Sequence, residues 1–245
     1  MKLFKIICRK NRTIFWIFLI PLVICSCTIA FDNSRIYSLN IEAKRFYDQG
    51  VEYSRENKPD DAIEAYTRSI AISPSSAAYN NRCVEYNRKG LYDAAMDDAS
   101  KAVYLSPSYA APYFNRGNAH FKKNEYGAAV RDYTKAIDLD PGQAEFYFNC
   151  ALAHIRTNQE VTAINLYFRA VEVDPNYYAA YYNLASIYSM KNERARAVEY
   201  LGKAVNAGFA DANRMKSDPG LANIRHESKF RFLLMRLEKK GKRTQ

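Results

Sequence analysis

Apolar and polar positions in the middle of the chain follow the three- and four-residue spacing of amphipathic helices. The clearest stretch is 110–141, where two such runs flank a short polar turn at 123–125 and a proline follows the second run. A residue that precedes proline is pushed out of the helical region, so the second helix is expected to end at Asp140. The stretch therefore predicts a helix–turn–helix pair.

This pattern recurs at an almost constant interval. The prolines Pro74, Pro107, Pro141 and Pro175 follow one another at a nearly equal spacing of about 34 residues. Three columns of small residues keep the same register: Ala62, Ala95, Ala129, Ala163 and Ala197; Ser69, Ala102, Ala136, Ala170 and Ala204; Gly50, Cys83, Gly117, Ala151 and Ala185. An aromatic column opens each copy: Phe46, Tyr79, Tyr113, Tyr147 and Tyr181. Small residues at fixed places let two helices approach closely, and a fixed period is the signature of a repeat architecture.

The period and the order of these columns resemble the tetratricopeptide repeat (TPR) family. The resemblance implies an all-α, right-handed superhelical solenoid of five helix–turn–helix copies over residues 41–209. It also implies that the first helices line a concave groove and that each copy contacts only its neighbours.

The N-terminus has the layout of a targeting segment. Basic residues precede the apolar run 14–25, so residues 1–26 are interpreted as a signal peptide of the lipoprotein type. A small residue, Ser26, precedes Cys27, which is the predicted lipidation site, and residues 27–40 form a tether. The alternative is an uncleaved signal anchor, because the uncharged stretch 13–31 is just long enough to span a bilayer. Both interpretations place the repeats outside the cytoplasm, in the periplasm or at the exterior of a bacterial envelope.

The net charge of +10 comes from the two ends of the chain. Five basic residues lie within 1–12 and seven lie within 229–245, where Glu238 is the only acid. The remainder carries 24 basic and 25 acidic side chains, so no nucleic-acid partner is expected.

The segment 210–245 is predicted to contain capping helices and a basic tail, because a solenoid needs a terminal element over its last copy. Asp211 is placed to cap a short helix that ends at Ser217, and 218–220 is expected to be a turn. Ser228 then starts a last helix with apolar residues Phe230, Leu233, Leu234 and Leu237.

The sequence contains no phosphate-binding loop, nucleophile elbow or zinc-protease motif, so neither a catalytic site nor a cofactor is predicted. Cys150 and His154 share a helix face, but both stand at packing positions, and no metal site is assigned. Cys83 and Cys150 lie two copies apart and are expected to be buried free thiols.

The groove is the candidate site. If the register is right, one position of each first helix faces it, and four of these residues are asparagines: Asn81, Asn115, Asn149 and Asn183. Exposed aromatic residues, and basic residues at the helix ends, are expected beside them: Phe114, Phe148, Tyr182, Arg88, Lys122 and Arg156. An amide both donates and accepts, which suits a peptide backbone, although asparagine is also common here in the family regardless of ligand. The carboxylate clamp of the family's chaperone-tail receptors is not expected, because Phe114 stands at a lysine place and Val84 and Leu152 at asparagine places.

The favoured function is a non-enzymatic, lipid-anchored scaffold that binds peptides or proteins in envelope assembly, in pilus or secretin assembly, or in cell-wall enzyme control. The alternative is a signal-anchored receptor for transported or targeting peptides, and an enzyme is disfavoured. Lipidation of Cys27 distinguishes the scaffold from the signal-anchored receptor.

Overall fold

The computed structural model describes residues 37–241, and of Lys240 and Gly241 it describes the backbone alone. The predicted signal peptide, Cys27 and most of the tether lie outside the described residues. The described chain is helical, without strands: α1 (37–55), α2 (Pro59–Ile72), α3 (Ser76–Arg88), α4 (Tyr92–Leu105), α5 (Ala110–Lys122), α6 (Tyr126–Leu139), α7 (Ala144–Arg156), α8 (Glu160–Val173), α9 (Tyr178–Met190), α10 (Arg194–Asn206), α11 (Ala212–Ser217), a 3-10 helix (Pro219–Ile224) and α12 (Ser228–Gly241). Helix α1 already includes 37–40, which the sequence analysis gave to the tether, because neither proline nor glycine interrupts 37–49.

The chain divides into two compact bodies, one ending at Arg82 and the other beginning at Cys83, within α3. In the N-terminal body the rings of Tyr47 and Tyr66 lie 5.8 Å apart and join α1 to α2. In the C-terminal body each helix from α4 to α10 packs against the next one in the chain. The predicted all-α fold of consecutive helix pairs is therefore confirmed.

Each of the first five helix pairs turns through one residue with a left-handed backbone. These residues have φ between 58° and 75°: Asn57, Gly90, Asn124, Asn158 and Asn192. Asparagine and glycine adopt this conformation more readily than other residues, and it allows a helix to end with its last carbonyls bonded. In the third pair the amide of Glu125 accordingly donates to the carbonyl of His120 at 2.9 Å. The sequence analysis located one of these turns but missed the shared conformation.

The first small column lies where two helices of a pair cross. All five alanines of that column, Ala129 among them, are 0% exposed. The third column faces a position on the second helix that the sequence analysis missed: Tyr66, Ala99, Tyr133, Tyr167 and Leu201, each at most 1% exposed. A Cβ atom on Gly117 would lie 2.7 Å from the Tyr133 ring, so a larger residue here would force this ring to shift. In the second pair the larger side chain is on the first helix, because the buried Cys83 packs in one cluster with the smaller Ala99.

The C-terminal segment keeps the length of the repeat but not its packing, because the buried residues of α12 stand one period after exposed residues of α10. Helix α12 begins one repeat period after α10, and the range from the start of α11 to the end of the 3-10 helix lies one period beyond α9. Asp218 and Pro219 separate α11 from the 3-10 helix. There Asp218 Oδ1 accepts from the amide of Gly220 at 2.8 Å. Asp211 caps α11 as predicted by accepting from the amide of Arg214. Phe230, Leu233 and Leu237 are buried, so α12 covers the fifth pair as expected of a cap.

The two cysteines of the described chain are free and buried, as predicted. Burial raises the pKa of the Cys83 thiol to about 12 and that of the Cys150 thiol to about 11. Both thiols are therefore protonated near neutral pH and unsuited to nucleophilic chemistry.

Candidate peptide-binding groove

Asn115, Asn149 and Asn183 lie on the first helices α5, α7 and α9 of the C-terminal body, and all three are half-buried. We call the surface that carries them the first-helix face. Helices α5 and α7 are in contact, which brings two of these asparagines onto adjacent helices. Asn81 belongs to the N-terminal body, where its amide donates to the hydroxyl of Tyr47 at 3.0 Å.

One amide of the first-helix face is tied to the core. The Nδ2 atom of Asn183 donates to the hydroxyl of Tyr167 at 2.9 Å. Tyr167 is 1% exposed, and its burial raises the pKa of its phenol above the ordinary value. The hydroxyl thus stays protonated near neutral pH. Asn183 keeps its carbonyl oxygen and its other N–H for a ligand, so it fits both the structural and the peptide-binding interpretation.

Two of the aromatic residues expected to be exposed in the groove are buried, and that expectation is wrong for them. Phe114 is 7% exposed because its ring stacks on Phe146 of the next first helix, with centroids 4.7 Å apart. Tyr182 is 2% exposed because its ring packs against Phe209, and its hydroxyl donates to Asp218 at 2.7 Å. Both covering contacts come from neighbouring elements.

Phe148 is half-buried and is shared between the core and the surface. Its ring lies 5.6 Å from that of Tyr167 and 5.3 Å from that of Tyr177. Its role in ligand binding stays a prediction.

The three predicted basic residues stand at the ends of first helices and are exposed. Arg88 donates to the buried carboxylate of Glu85 at 3.0 Å. The guanidinium of Arg156 lies 4.6 Å above the ring of Tyr126. Arg88 and Arg156 therefore also make structural contacts within the fold, whereas Lys122 extends from the surface.

An apolar cleft of about 420 Å³ opens between α7 and α9. Its wall includes four aliphatic residues: Leu152, Ile155, Ile187 and Met190. The polar lining residues include Asn183, Ser186 and Tyr167. Met190 is 58% exposed at the cleft, and Glu160, another lining residue, pairs with Lys191 at 3.0 Å. The cleft thus combines aliphatic surface with a few polar groups, the usual composition of a binding pocket.

The sequence analysis included Asn183 but missed the aliphatic residues of this cleft. A signal for them existed in helical spacing. Leu152 follows Asn149 by three positions, and Ile187 and Met190 follow Asn183 by four and seven. Each set therefore lies on one stripe of its helix.

The histidines of the first helices act as turn residues. His120 Nδ1 lies 2.6 Å from a carboxylate oxygen of Glu125, and His154 Nδ1 lies 2.5 Å from Oε1 of Gln159. Within residues 37–241, no three His, Cys, Asp or Glu side chains converge as metal ligands would. Over the same range, none of the helices combines the length and apolar character that crossing a bilayer requires.

Three models of the repeat match the chain. Tetratricopeptide repeat models match residues 47–110 and 166–199, and a TPR repeat model matches residues 117–158. No curated protein matches the chain in sequence.

Solved structures of similar fold were also found. The crystal structure of MamA is 26% identical, with a TM-score of 0.59, and the alignment covers 64% of this chain and 93% of MamA. PilF of Pseudomonas aeruginosa is 15% identical, with a TM-score of 0.71 and coverage of 84% and 93%. YrrB, described as a TPR protein with an unusual peptide-binding site, is 19% identical, with a TM-score of 0.57 and coverage of 86% and 97%. The last two likenesses concern the fold alone. With the three matching models and the five helix pairs at one repeat spacing, this chain belongs to the tetratricopeptide-repeat family.

Proposed function

We propose that this protein is a non-enzymatic interaction scaffold that binds extended peptide segments of partner proteins on its first-helix face. Its principal contact is the α7–α9 cleft. Lipid on Cys27 anchors it in a bacterial envelope, and it serves envelope assembly, pilus or secretin assembly, or the control of cell-wall enzymes.

The observation that carries this proposal is the cleft itself. Met190 exposes 58% of its surface beside Leu152 and Ile155, so aliphatic surface is open to solvent next to the amide of Asn183. An apolar side chain of a peptide would be desolvated there, at roughly 25 cal/mol for each Å² removed from water. The amide would bond the peptide backbone beside it. Such a site recognises an apolar residue in an extended segment.

The repeat fold supports this function physically. Within the C-terminal body each helix from α4 to α10 packs against the next one in the chain, so α5, α7 and α9 form a largely preformed surface. A preformed site loses little conformational entropy when a ligand binds.

The peptide proposal is tested by selecting binders from a random peptide library with the full chain in neutral detergent. Selected peptides are then titrated against the wild type, Met190→Glu and Met235→Glu. Both methionines are exposed, at 58% and 43%, but they lie on different surfaces. We expect Met190→Glu to weaken binding about tenfold or more, because few residues carry most of the energy of an interface, and Met235→Glu to leave it unchanged. Equal losses in both variants, or no selected peptide, would contradict the proposal.

The anchoring proposal is tested separately by labelling cells with a fatty-acid analogue. We expect wild-type chain to carry the label and Cys27→Ala to accumulate as unprocessed precursor. If the wild type stays unlabelled at full precursor mass, the chain is a signal-anchored receptor instead. One acyl chain holds a protein only marginally, so stable attachment takes more than one chain.

A further inference from the structure

Helix α12 begins one repeat period after α10 but turns a different face to the core, because its buried Phe230, Leu233 and Leu237 stand one period after exposed residues of α10. Phe232 and Met235 stand one repeat period after Val198 and Leu201 of α10. Val198 is 5% exposed and Leu201 is 0% exposed, whereas Phe232 is 59% and Met235 is 43% exposed. The 3-10 helix and α12 pack against α10, but no described element covers the same positions of α12. The outer face of α12 thus carries an exposed apolar stripe, and exposed apolar patches of this kind mark sites of protein interaction.

The charges on this outer face are positive. Within residues 37–241, neither Arg231 nor Lys239 has a carboxylate at ion-pair distance. Arg236 donates to the neutral amide oxygen of Asn206 at 3.0 Å. The acid of α12, Glu238, is engaged by Lys216. A partner that brings carboxylates would therefore meet cations without displacing carboxylates already paired with them.

A cleft of about 380 Å³ lies at the edge of the same face, between α10 and α12. Val205, Phe209 and Leu237 line it and are 4–8% exposed, so they provide a fixed apolar floor. The other lining residues are Phe232, Met235, Arg236 and Lys239. The cleft combines an apolar floor with a cationic rim, which suits an apolar side chain flanked by acids.

We propose that the outer face of α12 is a second docking site, distinct from the α7–α9 cleft, and that it binds an acidic amphipathic helix of a partner protein. The apolar stripe of this helix covers Phe232 and Met235 and inserts a side chain into the α10–α12 cleft. Its acidic flanks pair with Arg231, Arg236 and Lys239.

Two other occupants fit less well. A second copy could offer the exposed Tyr37, Leu39 and Ile41 of α1, but Lys44 and Arg45 follow them closely and would meet the cations of α12. An anionic membrane would match the charge, but the cleft is a recess with a buried floor, which a planar surface does not fill.

The test uses a fluorescent synthetic helix with leucines along one face and glutamates elsewhere, titrated into the full chain in neutral detergent. Two control probes keep the leucines: one has lysines in place of the glutamates, and one carries prolines that prevent helix formation. Chain variants are Phe232→Glu, Met235→Glu and, as matched controls, Tyr104→Glu and Met190→Glu. Tyr104 is 85% exposed on α4, so its change should leave the fold intact. Circular dichroism checks each variant for folding.

We expect the acidic helix to bind and both control probes to bind about tenfold more weakly or less, because charge complementarity and the preformed helix each contribute. Phe232→Glu and Met235→Glu should each weaken binding by a similar factor, while Tyr104→Glu and Met190→Glu should not. Equal binding of the acidic and basic helices would overturn the proposal. Failure to bind the acidic helix would also overturn the proposal. In that case, sedimentation with phosphatidylglycerol vesicles would indicate a membrane surface, and self-association through α12 in light scattering would indicate a second copy.

Discussion

Tyr133 of the third pair and Met235 of α12 stand three repeat periods apart in the sequence. Tyr133 is 1% exposed, with its ring against Gly117 and Phe114 and its hydroxyl donating to Asn118 at 2.8 Å. Met235 is 43% exposed. The difference arises because α12 turns the face of Phe230, Leu233 and Leu237 to the core, so repeat spacing alone does not bury this position. An apolar residue at this position is core inside the stack and exposed on α12.

The largest expected effect comes from truncating both residues. Tyr133→Ala removes a buried ring and leaves a cavity, so it should lower the free energy of unfolding by about 3–5 kcal/mol. Met235→Ala should change it by about 0.5 kcal/mol or less, because the side chain is largely in solvent already. Urea unfolding of the full chain in neutral detergent measures both. Similar losses in the two variants would show that the two positions do not differ in packing.

The next effect concerns the partner of Tyr133. Gly117→Ala places a Cβ atom 2.7 Å from the ring and should lower the free energy of unfolding by about 1–3 kcal/mol. Gly127→Ala is the control, because its Cβ meets only a flexible arginine tip at 4.0 Å. That change should stabilise helix α6 by about 0.5–1 kcal/mol.

A compensating change sharpens this prediction. The fifth pair combines Ala185 with Leu201 where the third combines Gly117 with Tyr133. Adding Tyr133→Leu to Gly117→Ala should therefore recover part of the loss. An additive result, with no recovery, would show that the two side chains do not compete for the same space.

A smaller effect tests a feature that the pairs share. Asn158 has φ of 58° in the turn of the fourth pair. Asn158→Ala should lower the free energy of unfolding by about 1 kcal/mol, because alanine adopts the left-handed region at greater cost. Asn158→Gly should cost little in the same urea measurement. If Asn158→Gly lowers the free energy of unfolding more than Asn158→Ala does, the left-handed backbone is not the cause of the loss.

The smallest effect isolates one hydroxyl. Tyr167→Phe removes the bond to Asn183 and should lower the free energy of unfolding by about 0.5–1.5 kcal/mol. Leu201 fills the equivalent place of the fifth pair without a hydroxyl, so this bond is not required for folding. No change in stability would mean that water replaces the hydroxyl as partner of the amide.

The columns explain what could be predicted from the sequence. Ala62 and Ala129 are identified by repetition alone, because the helix crossing accepts only small residues. The second-helix column was missed because its members differ in size, from Ala99 to Tyr133. Periodicity reveals a position whose residue type is constant more readily than one whose residue type varies.

The candidate site was predicted less well for a related reason. Asn183 lies at the α7–α9 cleft, as its register implies. Phe114 and Tyr182 are covered by residues of neighbouring elements, Phe146 and Phe209, and helical periodicity within one helix does not report such contacts. The outer face of α12 was also hidden, because its apolar residues become distinctive only when their exposure is compared with that of α10.

The most direct test of the central claim, that the α7–α9 cleft binds peptide, is hydrogen–deuterium exchange of the full chain with and without a selected peptide. We predict slower amide exchange confined to α7 and α9 and to the turn that contains Asn158, with no change in α4, α6 or α12. Protection that appears in α12 or on the second helices, and not around the cleft, would contradict the claim.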